Sequence, residues 1–205
     1  MARTTHTTFD PNDLEGVDRY KLLTGLVVPR PIGWIGTRNP AGGHNLAPYS
    51  FFNVVAGTPP TVLFSAGRRS GRPKDTLAHV VATGAFTVNI VTEDVAEAMN
   101  LSAGEYAEDI DEFVLTGLTS IAGDVVDAPY VAEASAVLEC ELLQTVDLGD
   151  PPVNTVVFGT VRRIHVRSEF LDGTRIVHDA IRIVGRMAGS GYTRTADGLF
   201  HLERP

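Results

Sequence analysis

Residues 22–83 read LLTGLVVPRPIGWIGTRNPAGGHNLAPYSFFNVVAGTPPTVLFSAGRRSGRPKDTLAHVVAT, and this stretch decides what kind of fold the chain can make. It holds the only tryptophan, Trp34, and the densest positive charge of an acidic chain. Leu22 to Val28 is rich in β-formers and reads as extended. It ends at Pro29-Arg30-Pro31, where two prolines exclude helix. Ile32 to Thr37 alternates as a strand does, and Asn39-Pro40-Ala41-Gly42-Gly43 is turn chemistry that returns the chain antiparallel. Asn45 to Asn53 reads as irregular around Pro48, and Thr61 to Ser65 as a short buried strand. Lys74 to Thr83 predicts a helix with Leu77, Val80 and Val81 on one face, closed by Gly84 as its C-terminal cap.

Outward from this segment the chain reads as scaffold. Residues 1–15 are polar and without periodicity, an N-terminal arm. Residues 16–205 contain no linker or repeat and read as one domain. Ala85 to Val91 predicts a strand, and Thr92 to Ser102 an amphipathic helix with Val95 and Met99 four apart. Glu105 to Phe113 predicts a short acidic helical turn. Ala134 to Gln144 alternates Ala136, Leu138, Cys140 and Leu142 against a wet face of Ser135, Glu139 and Glu141. Asn154 to Val166 sets Val156, Phe158, Ile164 and Val166 inward, with Arg163, His165 and Arg167 outward. A last strand near Ile181 to Val184 leads into the turn Gly185 to Tyr192. Many antiparallel strands with few helices predict a mainly β, closed or nearly closed barrel, which also hides its edges.

Composition removes several classes of function. A formal net charge of −8 over 205 residues opposes an extended nucleic-acid surface, so no nucleic-acid partner is expected. No apolar run approaches the ~20 residues of a membrane helix. The first residues lack a signal-peptide core, so a cytoplasmic, membrane-free protein is the expectation. One cysteine, Cys140, excludes an internal disulfide and a cysteine-rich zinc site, and the six histidines lack H-x-x-x-H spacing. No metal is expected.

Two stretches carry chemistry. Arg68, Arg69, Arg72 and Lys74 fall between a predicted strand end at Ser65 and a helix start at Asp75-Thr76. A helix N-terminus attracts anions, and Gly67 and Gly71 let backbone approach a ligand. Ser65 and Thr76 add hydroxyls. The same residues also fit a solvated basic loop with Asp75 capping a helix, and the local pattern leaves both readings open. The second stretch is Asn45-Leu46-Ala47-Pro48-Tyr49-Ser50-Phe51-Phe52. A proline there leaves backbone N–H and C=O groups without ladder partners, and a flat heteroaromatic ring edged with donors and acceptors would satisfy them. A core-packing corner is the plainer reading of its aromatics. Trp34 fits a stacking platform or a core anchor. Arg186 and Tyr192, beside Gly189 and Gly191, sit on a turn that closes over a ligand or decorates the surface. There is no G-x-G-x-x-G, no nucleophile elbow, and no acid, base or nucleophile set, so catalytic residues are unassigned. If the chain is an enzyme, a cofactor supplies the reactivity.

These residues resemble the flavin reductase-like, FMN-binding split-barrel family, in particular its flavoredoxin-like branch. The resemblance rests on Val28 to Ile35, Asn45 to Asn53, Pro59-Pro60, Lys74-Asp75-Thr76, Phe86 to Asn89, Met99-Asn100, Asp111 to Phe113, Gly117-Leu118, Leu138 to Cys140 and Arg186 to Tyr192. It spans about residues 9–192. It implies a six-stranded antiparallel Greek-key barrel with a few flanking helices, binding FMN at a homodimer interface. By position, Gly33, Trp34, Ile35 and Asn45, Leu46, Ala47, Pro48, Tyr49, Ser50 would line the isoalloxazine and ribityl chain. Ser65, Arg68, Lys74, Asp75 and Thr76 would hold the phosphate, and Arg186 and Tyr192 would approach the flavin. His79 stands where the family often has asparagine, and Ala188 where it often has a second glycine. The implied activity is NAD(P)H:flavin oxidoreduction, with NAD(P)H as co-substrate and a monooxygenase component as a partner. An FMN electron carrier, an oxygen-using flavoprotein, and a non-catalytic FMN-binding barrel are the alternatives.

Overall fold

The computed structural model describes residues 5–203. Residues 1–4 of the arm lie outside them; residues 5–15 are mostly exposed and contain one turn of 3-10 helix at Pro11–Asp13. The strands are β1 Gly33–Arg38, β2 His44–Tyr49, β3 Phe52–Gly57, β4 Pro60–Arg69, β5 Arg72–Pro73, β6 Ala85–Ile90, β7 Ser120–Ala122, β8 Pro129–Val131, β9 Ala136–Leu148, β10 Asn154–Val166, β11 Leu171–Asp172, β12 Arg175–Ile176, β13 Val184–Arg186 and β14 Tyr192–Arg194. The helices are α1 Gly16–Leu26, α2 Asp75–Thr83, α3 Ala96–Leu101, α4 Glu112–Thr116 and α5 His178–Ile181. No described helix is long and apolar enough to cross a membrane.

One antiparallel sheet runs β2-β1-β6-β9-β10-β4-β3, with β5 added to β4. Its two ends, β2 and β3, are consecutive in sequence, and side chains from both halves meet in one core. The Tyr49 ring of β2 lies 4.9 Å from Phe64 of β4, which lies 5.4 Å from Phe86 of β6. Ile35, Val88, Cys140 and Val157 complete this cluster, and Leu77 and Val80 of α2 close it. A sheet can bring its ends together in this way only by rolling up, so the architecture is the split barrel. Gly159 makes the roll possible, because a Cβ there would sit 2.3 Å from the Phe86 ring. A second core, with Trp34, Leu46, Met99, Phe113 and Val131, lies under α3 and α4.

Several sequence expectations change. Eight strands share the sheet rather than six, because β3 and the two-residue β5 carry no alternation of their own. Leu22 to Val28 is not extended but largely the C-terminal half of α1. The buried Arg30 guanidinium donates to the carbonyls of Thr24 (2.6 Å) and Val27 (2.8 Å), satisfying acceptors a helix end leaves open. Residues 44–49 form a regular strand despite Pro48. β2 pairs only with β1, and an edge strand tolerates a residue without an N–H. The acidic turn at 105–113 is helical only from Glu112 onward. Val81 is exposed, although Leu77 and Val80 face inward as expected. In β10 the phase is reversed. Thr155, Val157 and Gly159 are the buried positions and Ile164 is exposed; the strand carries register irregularities against β9 at Phe158/Gly159 and Val161/Arg163. Glu139, assigned to a wet face, is fully buried. The last apolar strand begins at Val184, after the short α5.

Candidate functional site

A cleft of about 700 Å³ opens where the free edge of β2 faces the N-terminus of α2. The β4–β5 hairpin forms one wall and residues 102–108 the other. The hairpin turns through Ser70 and Gly71, both at positive φ (48° and 78°), which sets Arg69 opposite Arg72. Arg69 reaches across the cleft, donating to the Tyr106 carbonyl at 3.2 Å and pairing with Glu105 at 3.4 Å. Lys74 is the N-cap of α2 and offers no side-chain cap. The first bond of the helix runs from Ala78 N–H to the Lys74 carbonyl, so the N–H groups of residues 75–77 stand ahead of the ladder. Three cations, Arg69, Arg72 and Lys74, line the cleft near this helix end.

The floor is polar and buried. Asn45 donates to the hydroxyls of Thr76 (2.9 Å) and Thr37 (3.3 Å), and Thr37 in turn meets His79 Nδ1 at 3.2 Å. This chain ties β1, β2 and α2 into one rigid corner. Burial holds the His79 imidazole below its ordinary value. Tyr49 also lines the cleft. Its hydroxyl is buried with no hydrogen bond of acceptable geometry, and burial pushes its pKa up to about 12, the adjacent Thr76 hydroxyl only partly offsetting this. Glu112, 7% exposed, accepts the Leu46 N–H at 3.0 Å. Burial raises its carboxyl above the usual range, with the nearby Asp111 and Asp75 adding to the effect.

A smaller hollow of about 260 Å³ adjoins the cleft and shares Pro48 and Ala103 with it. The structure thus gathers Asn45, Ala47, Pro48, Tyr49, Lys74, Asp75 and Thr76 around the cleft, and Pro48, Ser50, Arg186 and Tyr192 around the hollow. Gly33, Trp34, Ile35, Leu46, Ser65 and Arg68 line neither. Trp34 and Ile35 are fully buried, and Trp34 Nε1 donates to Ser102 Oγ at 2.9 Å, bracing the 102–108 wall from behind. Gly33 lies against the Phe52 ring. Leu46 is core, presenting only its N–H to Glu112. Ser65 accepts from Asn154, and Arg68 turns toward Asp147 and Thr155 on the barrel wall. Sequence reasoning assigned no site role to Glu112 or to the 102–108 wall, reading residues 105–113 as a short acidic helical turn. The sequence signal for Glu112 was its place in Asp111-Glu112-Phe113, one of the stretches that carry the resemblance, beside Asp111, the α4 N-cap that accepts from Phe113 N–H.

Residues 25–183 match the family described as the flavin reductase like domain. An uncharacterised protein of Deinococcus radiodurans is 42% identical over 98% of this chain and 90% of its own length. The crystal structure of nitrilotriacetate monooxygenase component B from Bacillus cereus superposes with a TM-score of 0.94, at 33% identity over 98% of this chain and all of that one. The 2-nitrobenzoate 2-nitroreductase of Pseudomonas fluorescens follows with a TM-score of 0.88, at 31% identity over 97% and 96% of the two chains. With a rolled sheet and an edge-strand cleft already in view, these matches place the chain in the flavin reductase-like family of split-barrel proteins.

Proposed function

We propose that the larger cleft binds FMN and that the protein is an NAD(P)H:flavin oxidoreductase. The observation that carries this reading is the juxtaposition of a strand edge with an uncapped helix end flanked by Arg69, Arg72 and Lys74. Such a site suits a ligand with a planar hydrogen-bonding ring at one end and a phosphate at the other. The fit has further support in the cleft lining of Asn45, Ala47, Pro48 and Tyr49, which places the unpaired edge of β2 along the cleft. FMN held there would supply two-electron redox chemistry that no side chain of this chain provides.

In this reading the chain positions and does not react. Lys74, Arg72 and the N–H groups of residues 75–77 hold the phosphate. The main chain of β2 from Asn45 to Tyr49 meets the ring and ribityl chain, while the Asn45–Thr76–Thr37 network keeps that strand fixed against α2. Gly33, Trp34 and Ile35 act from behind, as the strand that carries β2. Glu112 accepts the Leu46 N–H and so ties β2 to the start of α4. A homodimer is part of the proposal. It is supported by the exposed apolar face of α1, where Val17, Tyr20, Leu23, Leu26 and Val27 are each 59–78% exposed. The name of the Bacillus cereus neighbour, a monooxygenase component B, supports delivery of reduced flavin to a partner oxygenase.

The test is an FMN titration followed by anaerobic NADH addition. The purified protein should quench flavin fluorescence on binding and bleach the bound flavin with NADH. Arg72→Ala and Lys74→Ala should each weaken FMN by about tenfold, the loss of one charge-assisted contact. Failure to bind FMN, or unchanged affinity in both variants, ends the assignment.

A further inference from the structure

The cationic end of the larger cleft is barred. Arg69 spans it from wall to wall, donating through Nη1 to the Tyr106 carbonyl at 3.2 Å, with Nη2 3.4 Å from Glu105. Separate parts of the fold hold the two ends of this bridge. On the hairpin side, the pairing of β4 with β5 fixes Arg69 opposite Arg72. On the other side, the wall is folded back on itself. Ser102 Oγ accepts from Trp34 Nε1 and donates to the Met99 carbonyl at 2.8 Å. The Tyr106 ring lies over Gly104, where a Cβ would come within 2.5 Å of it. Its hydroxyl donates to the Leu101 carbonyl at 2.8 Å. The bridge therefore joins two fixed posts.

Charge changes sign between those posts. Arg72 and Lys74 stand on the helix side of the cleft, and Glu105 and Glu108 on the facing wall. One anionic group finds its counter-charges beside the start of α2. A ligand continuing past that group would meet the Arg69 bridge and the carboxylates of the facing wall. The opposite end differs, because the cleft continues past Pro48 and Ala103 into the smaller hollow. The cleft is thus closed only where the cations gather.

We propose that Arg69, with Glu105 and Glu108, sets the length of ligand the cleft accepts, taking a flavin that ends in a monophosphate and rejecting the dinucleotide FAD. The inference rests on the FMN reading and adds to it the residues that discriminate. To admit FAD the bridge must open, giving up an ion pair and a charge-assisted hydrogen bond, and a second phosphate must lie beside carboxylates. The Arg69 and Glu105 side chains are half or more exposed, at 51% and 71%, so each bond is weak. The expected preference is accordingly about tenfold rather than absolute.

Calorimetric titration of FMN and of FAD into the full-length protein reads the preference. FMN should bind about tenfold more tightly than FAD. Arg69→Ala should narrow that ratio to about threefold or less by tightening FAD. The double variant Glu105→Gln with Glu108→Gln should narrow it in the same direction. Equal affinity of the native protein for the two flavins overturns the proposal, as does a ratio that survives in a folded Arg69→Ala. So does a parallel loss of both flavins in Arg69→Ala, which is the mark of a simple phosphate contact. A protein that binds FMN but fails these comparisons keeps the flavin reading and loses this one. A protein that takes up neither flavin loses both.

Discussion

Glu112 and Glu139 are both buried, yet their surroundings push their protons in opposite directions. Glu112 receives one backbone N–H and sits near Asp111 and Asp75, so burial prevails and its carboxyl titrates high. For Glu139 burial also acts upward, but it is outweighed. His165 Nε2 at 2.6 Å and the N–H groups of Val125 (2.8 Å) and Val126 (3.1 Å) hold the carboxylate below its usual range. The folded chain therefore grips the Glu112 proton more tightly than the unfolded chain does. Its contribution to stability declines as pH climbs past the unfolded carboxylate value, and the decline is complete above the folded one. Glu112→Gln keeps an acceptor for Leu46, so it should raise Tm at pH 8 relative to the native protein and leave it unchanged near pH 4. The Glu139 contribution has the reverse sign, present above the unfolded value and lost as pH falls through the folded one. Glu139→Ala should cost about 3 kcal/mol at neutral pH, because it strands two backbone donors and a histidine. A urea unfolding midpoint reads it. Neither carboxylate was legible as buried. Glu139 occupies an alternate position in a strand pattern that reads as wet, and the loop 124–126 that covers it comes from elsewhere in the chain.

At the scale of elements, α2 was the most legible part of the site. Two of its three apolar positions, Leu77 and Val80, its start after Pro73 and its closing glycine agree with the structure, where Gly84 at φ 72° donates to the Val80 carbonyl at 2.8 Å. Gly84→Ala forces a Cβ into the left-handed region and should lower stability by about 1 kcal/mol, visible as a shifted thermal midpoint without loss of fold. The strand β1 and its hairpin turn were equally plain. The misread elements share one cause, that their conformation is set by distant contacts. Helix α1 is closed by Arg30 from beyond its own end, β2 stays regular because its Pro48 faces no second partner, and the inward face of β10 is set by β4 and β9, the strands it pairs with. Local pattern carries no trace of any of these.

For the whole molecule, rolling the sheet leaves β2 as an unpaired edge and sets α1 beside it with its apolar side outward. The Tyr20 ring lies 6.5 Å from Phe51, at the bend between β2 and β3. If a second copy covers this surface, Leu23→Glu with Leu26→Glu should convert a dimer to a monomer in light scattering coupled to size exclusion. A native protein that is already monomeric would rule out the dimer. Residue 30 has one more consequence. Its side chain clasps both the tail of the first helix and the main chain at Met187, 157 residues later, while its backbone pairs with that of Arg186. The front of the polypeptide is thus fastened to its rear. A chain cut back to residue 183 should shed that anchorage, and trypsin should cleave after Arg19 and Lys21 far sooner than in the intact protein.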